Sequence, residues 1–256
     1  RSDHEAADGT NANKLRPWKA EDFRPSTDDI FQERLYAIQW MRPKNGGKAN
    51  EYEFRAVSDA DREREARVER YVENHIREWQ ANGLIPDMRI EPGDKTDEPI
   101  RTRGWTHWHH LFAPRQLLFL GLASKHIRAR NDEYVAPLLV FLARLADWSS
   151  KLCRYGTGAA RESVAQTFYN QALNTLFTYG VRSFAFAKTY LLEELAHSPV
   201  AGPLQVACRS AESFAESADI FVTDPPYGDA VKYEEILEFF IAWLRKNPPP
   251  EFAGWT

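Results

Sequence analysis

The 256-residue chain is poor in cysteine, with only Cys153 and Cys208. Two thiols this far apart exclude a disulfide framework and a zinc ribbon. The chain also lacks any apolar run close to the roughly 18 residues that a membrane-spanning helix needs. Hydrophobic residues nevertheless make up 43% of the composition, which is ordinary for a globular chain. We therefore expect a soluble, cytoplasmic protein without a membrane partner.

Glycine is scarce in the turns after predicted strands, where the binding of a nucleotide-like cofactor would require it. Gly46-Gly47 lies in a polar loop, and Gly156-Thr157-Gly158 follows no strand-like segment. A close approach between backbone and cofactor requires glycine in a tight turn after a strand. The sequence therefore leaves the cofactor-binding residues unassigned.

Acidic residues are absent from one stretch, Pro99 to Asn131, although the whole chain has a net charge of −4. The stretch contains six basic residues, which are Arg101, Arg103, Arg115, Lys125, Arg128 and Arg130. Such a balance favours binding to DNA phosphates, for which Arg101, Arg103 and Arg115 are the candidates, with Trp105 and Trp108 available for stacking. The alternative is a solvated helix face beside a packed tryptophan pair.

Besides His126, the same stretch contains a cluster of three histidines, His107, His109 and His110. No cysteine or carboxylate lies near them in sequence, so we expect no bound metal. Flanked by tryptophan, they are expected to pack in the protein or to bond to phosphate.

Most of the remaining pattern is helical. We predict a helix over Ser26–Met41 and another that begins at a capping box formed by Ser58 and Asp61 and ends at Asn82-Gly83. Further helices are predicted at about 113–130, 132–149, 161–178 and 182–197, and two strands at Leu204–Cys208 and Asp219–Thr223.

The most informative motif is Asp224-Pro225-Pro226-Tyr227, which directly follows the β-branched and aromatic run Ile220–Thr223. This run predicts a buried strand, and the two prolines end its pairing. In open α/β sheets, ligands bind just beyond the carboxyl ends of the strands. The motif is therefore expected at a catalytic site.

The residue types suit the activation of an exocyclic amino nitrogen, whose lone pair is delocalised into the base. The Asp224 carboxylate and the rigid Pro225 carbonyl would accept its two N–H bonds, and Tyr227 would stack a base rotated out of the duplex. Pro226 would keep the backbone extended. The alternative is a strand followed by a Pro-Pro turn and a core tyrosine.

The motif continues as DPPYGDAVKYEEILEFFIAWLRK, and a second block, GWTHWHHLFAPRQLL, spans Gly104–Leu118. Together they resemble the DUF1156-type DNA methyltransferases, which are adenine-specific DNA methylases often encoded beside anti-phage genes. The resemblance covers roughly residues 28 to 246. It implies S-adenosylmethionine as cofactor, DNA as partner, a catalytic role for Asp224-Pro225-Pro226-Tyr227, and substrate contacts from Gly228, Asp229 and Tyr233.

The resemblance also implies the domain organisation. We expect a helix-rich α/β fold in which a partial Rossmann-like methyltransferase sheet accompanies a large helical region. The regions are a flexible arm (1–25), a helical region with a Pro/Gly-rich connector (26–103), a helical region with the basic HWHH block (104–200) and a partial methyltransferase core with the DPPY loop (201–256). Glu234, Glu235 and Glu238, on the helix after the loop, are expected to face solvent or to complement the helix dipole.

The glycine-rich turn that such enzymes carry before DPPY is missing, and so are most strands of their sheet. We therefore interpret the chain as an internal piece of a longer enzyme, inactive alone, whose partners include the rest of that chain and other subunits of a restriction-modification or phage-defence system. Two alternatives stay open. The acceptor is another amino nitrogen (cytosine N4, guanine N2 in RNA or a glutamine amide), or the protein is a non-catalytic DNA-binding or scaffold subunit.

Overall fold

Helices dominate the computed structural model, which describes residues 15–43, 50–153, 165–169, 202, 209–225, 228 and 232–255. The α-helices are α1 (Asp59–Ala81), α2 (Asp97–Arg103), α3 (Pro114–Arg128), α4 (Val135–Asp147) and α5 (Tyr233–Leu244). Short 3-10 turns occupy Trp108–Leu111, Ala211–Ser213 and Pro250–Trp255. The helix-rich part of the predicted fold class is confirmed. The described sheet is a two-stranded antiparallel hairpin rather than part of a parallel methyltransferase sheet.

The first helix follows its local sequence signals closely. The Ser58 hydroxyl accepts the N–H of Asp61, and the Asp61 carboxylate accepts the N–H of Ser58 at 3.0 Å, so the predicted capping box is confirmed. Val72, Ile76 and Trp79 recur on one face and are buried. The helix ends where predicted because Gly83 adopts a positive φ of 68°, which favours glycine over other residues.

A continuous apolar core joins α1, α3, α4 and α5. Gly121 on α3 allows close contact with α1, since a Cβ at that position would lie 2.8 Å from the Trp79 ring. Just before α3, Phe112 packs against two of the aromatic residues of α5. Its ring centroid is 6.0 Å from that of Phe239 and 5.3 Å from that of Trp243. The helix after the DPPY motif is thus part of the main core.

The segment over residues 15–33 packs against this helical body. Trp18 and Phe23 are buried, and the Trp18 N–H donates to the Gly104 carbonyl at 2.7 Å. Residues 15–25 therefore do not belong to the flexible arm expected from their polar composition. Two buried aromatic side chains outweigh the polarity of their neighbours.

The helix predicted over Ser26–Met41 is wrong. Residues 26–35 form turns in which the Asp29 carboxylate accepts the Ser26 N–H at 2.8 Å, and a strand follows. Strand β1 (Ala37–Pro43) pairs antiparallel with β2 (Asn50–Ala56). The hairpin depends on pairing between two separate segments, which the pattern of either segment alone does not reveal.

The strand predicted over Asp219–Thr223 does not form among the described residues. Ile220, Phe221 and Val222 are 80%, 62% and 92% exposed, and the segment pairs with no described strand. A strand needs a neighbour for its backbone groups, and the predicted neighbour, 204–208, lies outside the described residues. The helices predicted at 182–197 and over most of 161–178 also lie outside them. No helix in the described ranges is both long and apolar enough to cross a membrane.

Candidate catalytic loop and the residues that position it

The described residues of the loop that carries the DPPY motif lie at the surface. Asp224 and Pro225 are exposed in a segment without regular secondary structure, and no described residue pairs with the Asp224 carboxylate. Gly228 is exposed with a positive φ of 53°, and its Cα faces open space. Pro226, Tyr227 and Asp229 lie outside the described residues. Asp224 and the Pro225 carbonyl are thus open to a ligand.

This loop leads directly into α5, whose first residue is Tyr233. The Tyr233 side chain, a predicted substrate contact, is 43% exposed. Just before it, the Lys232 ammonium lies 3.8 Å from the Asp94 carboxylate. The amino end of α5 is therefore close to the connector that precedes α2.

Glu235 attaches α5 to this connector through several hydrogen bonds. One carboxylate oxygen accepts the backbone N–H of Asp94 at 3.0 Å, and the other accepts those of Lys95 at 2.7 Å and Thr96 at 3.1 Å. The Thr96 hydroxyl lies 3.3 Å from the same oxygen and donates its proton to the Glu91 carbonyl, which is closer at 2.6 Å. Burial by itself would raise the pKa of Glu235, but the backbone hydrogen bonds outweigh it and lower that pKa. The ionised carboxylate thus positions the start of α5.

The far end of α5 is held by a basic residue from the predicted DNA-binding stretch. The Arg128 guanidinium donates to the Asn247 carbonyl at 2.6 Å and to the Trp243 carbonyl at 3.2 Å. These carbonyls belong to the carboxyl end of the helix and the turn after it, which lack partners within the helix. Both ends of α5 are therefore fixed by residues from distant parts of the chain.

The histidines of the HWHH block, which spans residues 107–110, have a structural role in the described fold. His109 and His110 are completely buried, and their Nε2 atoms donate to the carbonyls of Asp22 and Lys19, both at 3.0 Å. The Nδ1 atom of His110 accepts the backbone N–H of Thr106 at 3.0 Å. This pattern requires a neutral ring with its proton on Nε2. The block therefore serves to bind the segment over residues 15–33.

Burial, with the neighbouring histidines as a second cause, lowers the pKa of both rings. The pKa of His109 falls to about 3, and that of His110 also falls far below its ordinary value. His107 is half-buried and its pKa is lowered for the same first reason. At neutral pH the His109 and His110 rings are therefore uncharged, and since both are buried with their Nε2–H groups bonded to carbonyls, neither is placed to contact phosphate.

Several basic side chains of the stretch pair with carboxylates of the protein itself. The Arg115 guanidinium forms an ion pair with Glu65 on α1, its Nε donating to Glu65 Oε1 at 2.9 Å. Arg130 pairs with Asp132, and Arg101 lies 3.4 Å from Asp97. Arg103 is half-buried, with its guanidinium 4.5 Å from the centre of the Phe31 ring. Arg101 is the most exposed of the three predicted phosphate contacts, and the Arg115 guanidinium is already paired with Glu65.

Trp105 and Trp108 are both buried, so neither ring is presented for stacking on a base. Instead, the rings of Trp105 and Trp18 both lie next to the Lys151 ammonium. The Lys151 ammonium lies 4.5 Å from the Trp105 ring centre and 5.1 Å from that of Trp18, and 2.9 Å from the Glu33 carboxylate. The two rings therefore match the second interpretation of the sequence, in which they form a packed tryptophan pair and do not stack on a base.

Two residues that make long-range contacts in the fold were not identified from the sequence. Glu235 was expected to face solvent or to complement the helix dipole, and its third position in the helix gives no hint of a partner 139 residues away. Lys151 is completely buried although lysine is almost always exposed. No local signal distinguishes either residue, since each depends on contacts made only in the folded chain.

The chemistry available at the loop is acceptance of hydrogen bonds, by the exposed Asp224 carboxylate and the Pro225 carbonyl, which precede a helix fixed at both ends. Among the described residues we identify no glycine-lined turn that fits S-adenosylmethionine. Comparisons with protein-family models, curated proteins and solved structures found no match for this chain.

Proposed function

We propose that the chain carries the substrate-binding catalytic loop of an S-adenosylmethionine-dependent DNA methyltransferase that acts on N6 of adenine in the cytoplasm. The supporting observation is the exposed Asp224-Pro225 pair on a loop that enters the helix fixed by Glu235. A carboxylate aimed at a substrate needs such a rigid support, because a small displacement of reacting groups is costly in rate.

Each residue of the motif has a role in this proposal. Asp224 and the Pro225 carbonyl accept the two N–H bonds of the amino group and aim its lone pair. Pro226 keeps the backbone extended and Tyr227 stacks the rotated base. The flanking residues Gly228, Asp229 and Tyr233 contact the same nucleotide.

The described residues do not fit the cofactor, so the proposal concerns the acceptor side of the reaction. We propose that the remainder of a longer methyltransferase chain supplies the glycine-rich turn. Partners would then include DNA and other subunits of a phage-defence or restriction-modification system. Among the predicted phosphate contacts, Arg101 is the best placed because its side chain is 44% exposed.

The test compares Asp224→Asn with Asp219→Asn in the intact gene product. Asp219 is an exposed carboxylate on the same loop and serves as the matched control. Transfer of label from S-adenosylmethionine to unmethylated DNA should fall on the order of 100-fold or more in Asp224→Asn. Asp219→Asn should retain wild-type transfer. Unchanged transfer in Asp224→Asn would remove Asp224 from the mechanism.

The acceptor is identified by mass spectrometry of the product. N6-methyladenine supports the proposal. N4-methylcytosine, N2-methylguanine in RNA or a methylated glutamine would keep the reaction class but change the acceptor, since the motif alone suits any of these amino groups.

The exposed apolar residues Ile220, Phe221 and Val222 favour a second candidate, a non-catalytic scaffold or DNA-binding subunit. Three apolar side chains in a row on a surface mark a contact site for another protein or segment. In that case the intact gene product would show no methyl transfer even before substitution, while Val222→Asp would weaken its assembly with partner subunits.

A further inference from the structure

The β1–β2 hairpin has two edges that no described residue covers with a further strand. Among the described residues the two strands pair only with each other. An isolated two-stranded hairpin is marginally stable in water, and an unpaired edge is a template for another strand. The side chains of Trp40 and Phe54 are 46% and 72% exposed, so large apolar groups accompany the open edges.

The two faces of the hairpin differ in charge. The register places Trp40 opposite Glu53, Ile38 opposite Arg55 and Arg42 opposite Glu51, and these residues share one face. The other face has no charged residue, and Phe54 lies there opposite Gln39. On β2 alone, the charged face therefore reads Glu51, Glu53, Arg55 along the strand.

This order of charges makes β2 complementary to itself. In an antiparallel pair of two β2 strands centred on Phe54, Glu53 of each copy lies opposite Arg55 of the other. Shifting the centre to Glu53 or Arg55 places like charges directly opposite, and centring on Tyr52 places Glu51 opposite Glu53. The register centred on Phe54 is the one among these that brings only opposite charges together. Opposite charges on facing strands stabilise a sheet and like charges destabilise it.

We propose that β2 is a self-association edge, which pairs with β2 of a second copy of this chain into a four-stranded antiparallel sheet. Phe54 of the two copies meets on the uncharged face, at the two-fold axis. Each copy contributes the same surface, as a closed two-fold dimer requires. The inference stands apart from the proposed methyl transfer, since it uses no residue of the DPPY loop.

The decisive experiment mixes two charge variants. Glu53→Arg gives Arg opposite Arg in a homodimer, and Arg55→Glu gives Glu opposite Glu, so sedimentation should show each variant alone to be monomeric where the wild type dimerises. Their equimolar mixture restores two opposite-charge pairs and should dimerise again. We expect each variant alone to associate roughly tenfold or more weakly than the wild type.

Mixing the two variants distinguishes pairing between two copies of the chain from the loss of a contact within one copy. In the isolated chain Arg55 also lies 2.8 Å from Glu53 of its own strand, and mixing cannot restore that contact. Glu63→Arg, an equal charge change on the exposed face of α1, is the control and should leave dimerisation unchanged. A wild type that stays monomeric at several hundred micromolar, or a mixture that stays monomeric where the wild type dimerises, would overturn the proposal.

Discussion

The Glu235 carboxylate accepts the backbone N–H of Thr96 at 3.1 Å across 139 residues of chain. This bond and its neighbours place the helix after the DPPY loop against the connector before α2. Glu235 thus positions the start of α5, the helix that follows the loop in sequence.

Replacing Glu235 with Gln should lower the free energy of unfolding by about 1–3 kcal/mol, because the amide has one acceptor oxygen and no charge to offer the N–H groups. Urea unfolding of Glu235→Gln beside Glu234→Gln measures this. Glu234 is exposed next to it and should be neutral on substitution. Equal stability of the two variants would show that the hydrogen bonds contribute nothing net.

Acid should destabilise the fold through its buried histidines. The pKa of His109 is about 3 in the fold and about 6.5 when unfolded, so the unfolded chain binds more protons between these values. The free energy of unfolding is unaffected by this ring above pH 6.5. It falls by about 1.4 kcal/mol per pH unit as the pH drops from 6 to 4. His110 acts in the same direction.

Asp147 has the opposite effect on the free energy of unfolding over part of this pH range. Burial raises its pKa to about 6, against the attraction of Arg144, so the fold holds a proton that the unfolded chain releases above pH 4. Its contribution to stability is therefore lost as the pH rises from about 4 to 6. Asp147→Asn should steepen the acid dependence between these values and His109→Gln should flatten it. Parallel pH profiles for both variants and the wild type would contradict the assignment.

Arg101 and Arg115 should separate DNA binding from stability. Arg101→Ala should flatten the log–log salt dependence of duplex affinity by up to about 0.9, the value of one phosphate contact. Arg115→Ala should leave that slope unchanged and lower the melting temperature, because Glu65 loses its partner. Fluorescence anisotropy at several salt concentrations, with thermal melting, measures both. A slope that changes only in Arg115→Ala would reverse the two roles.

Gly121→Ala should destabilise the protein although alanine favours a helix by about 1 kcal/mol over glycine. The new methyl group would lie 2.8 Å from the Trp79 ring, and overpacking of this kind costs about 1–3 kcal/mol. Trp79→Phe should be less harmful in the Gly121→Ala background than in the wild type, because the smaller ring makes room. Simple additivity of the two substitutions in chemical denaturation would rule out the steric explanation.

Features of the fold whose causes are local can be predicted from the amino-acid sequence alone. The Ser58–Asp61 capping box, the stop at Gly83 and the 3.6-residue periodicity of α1, α3 and α4 act within one or two turns of chain, so each can be recognised from neighbouring residues. The DPPY motif is equally a local pattern, and its catalytic role stays a prediction.

Which distant groups meet depends on the packing of the folded chain. His110 and the Lys19 carbonyl, and Arg115 and Glu65, are brought together by packing of segments far apart in sequence, and the two hairpin strands by pairing of neighbouring segments. A basic residue carries the same charge whether it meets a phosphate or a carboxylate of its own chain. Its role depends on which partner the fold places within a few ångströms, and no local pattern contains that information.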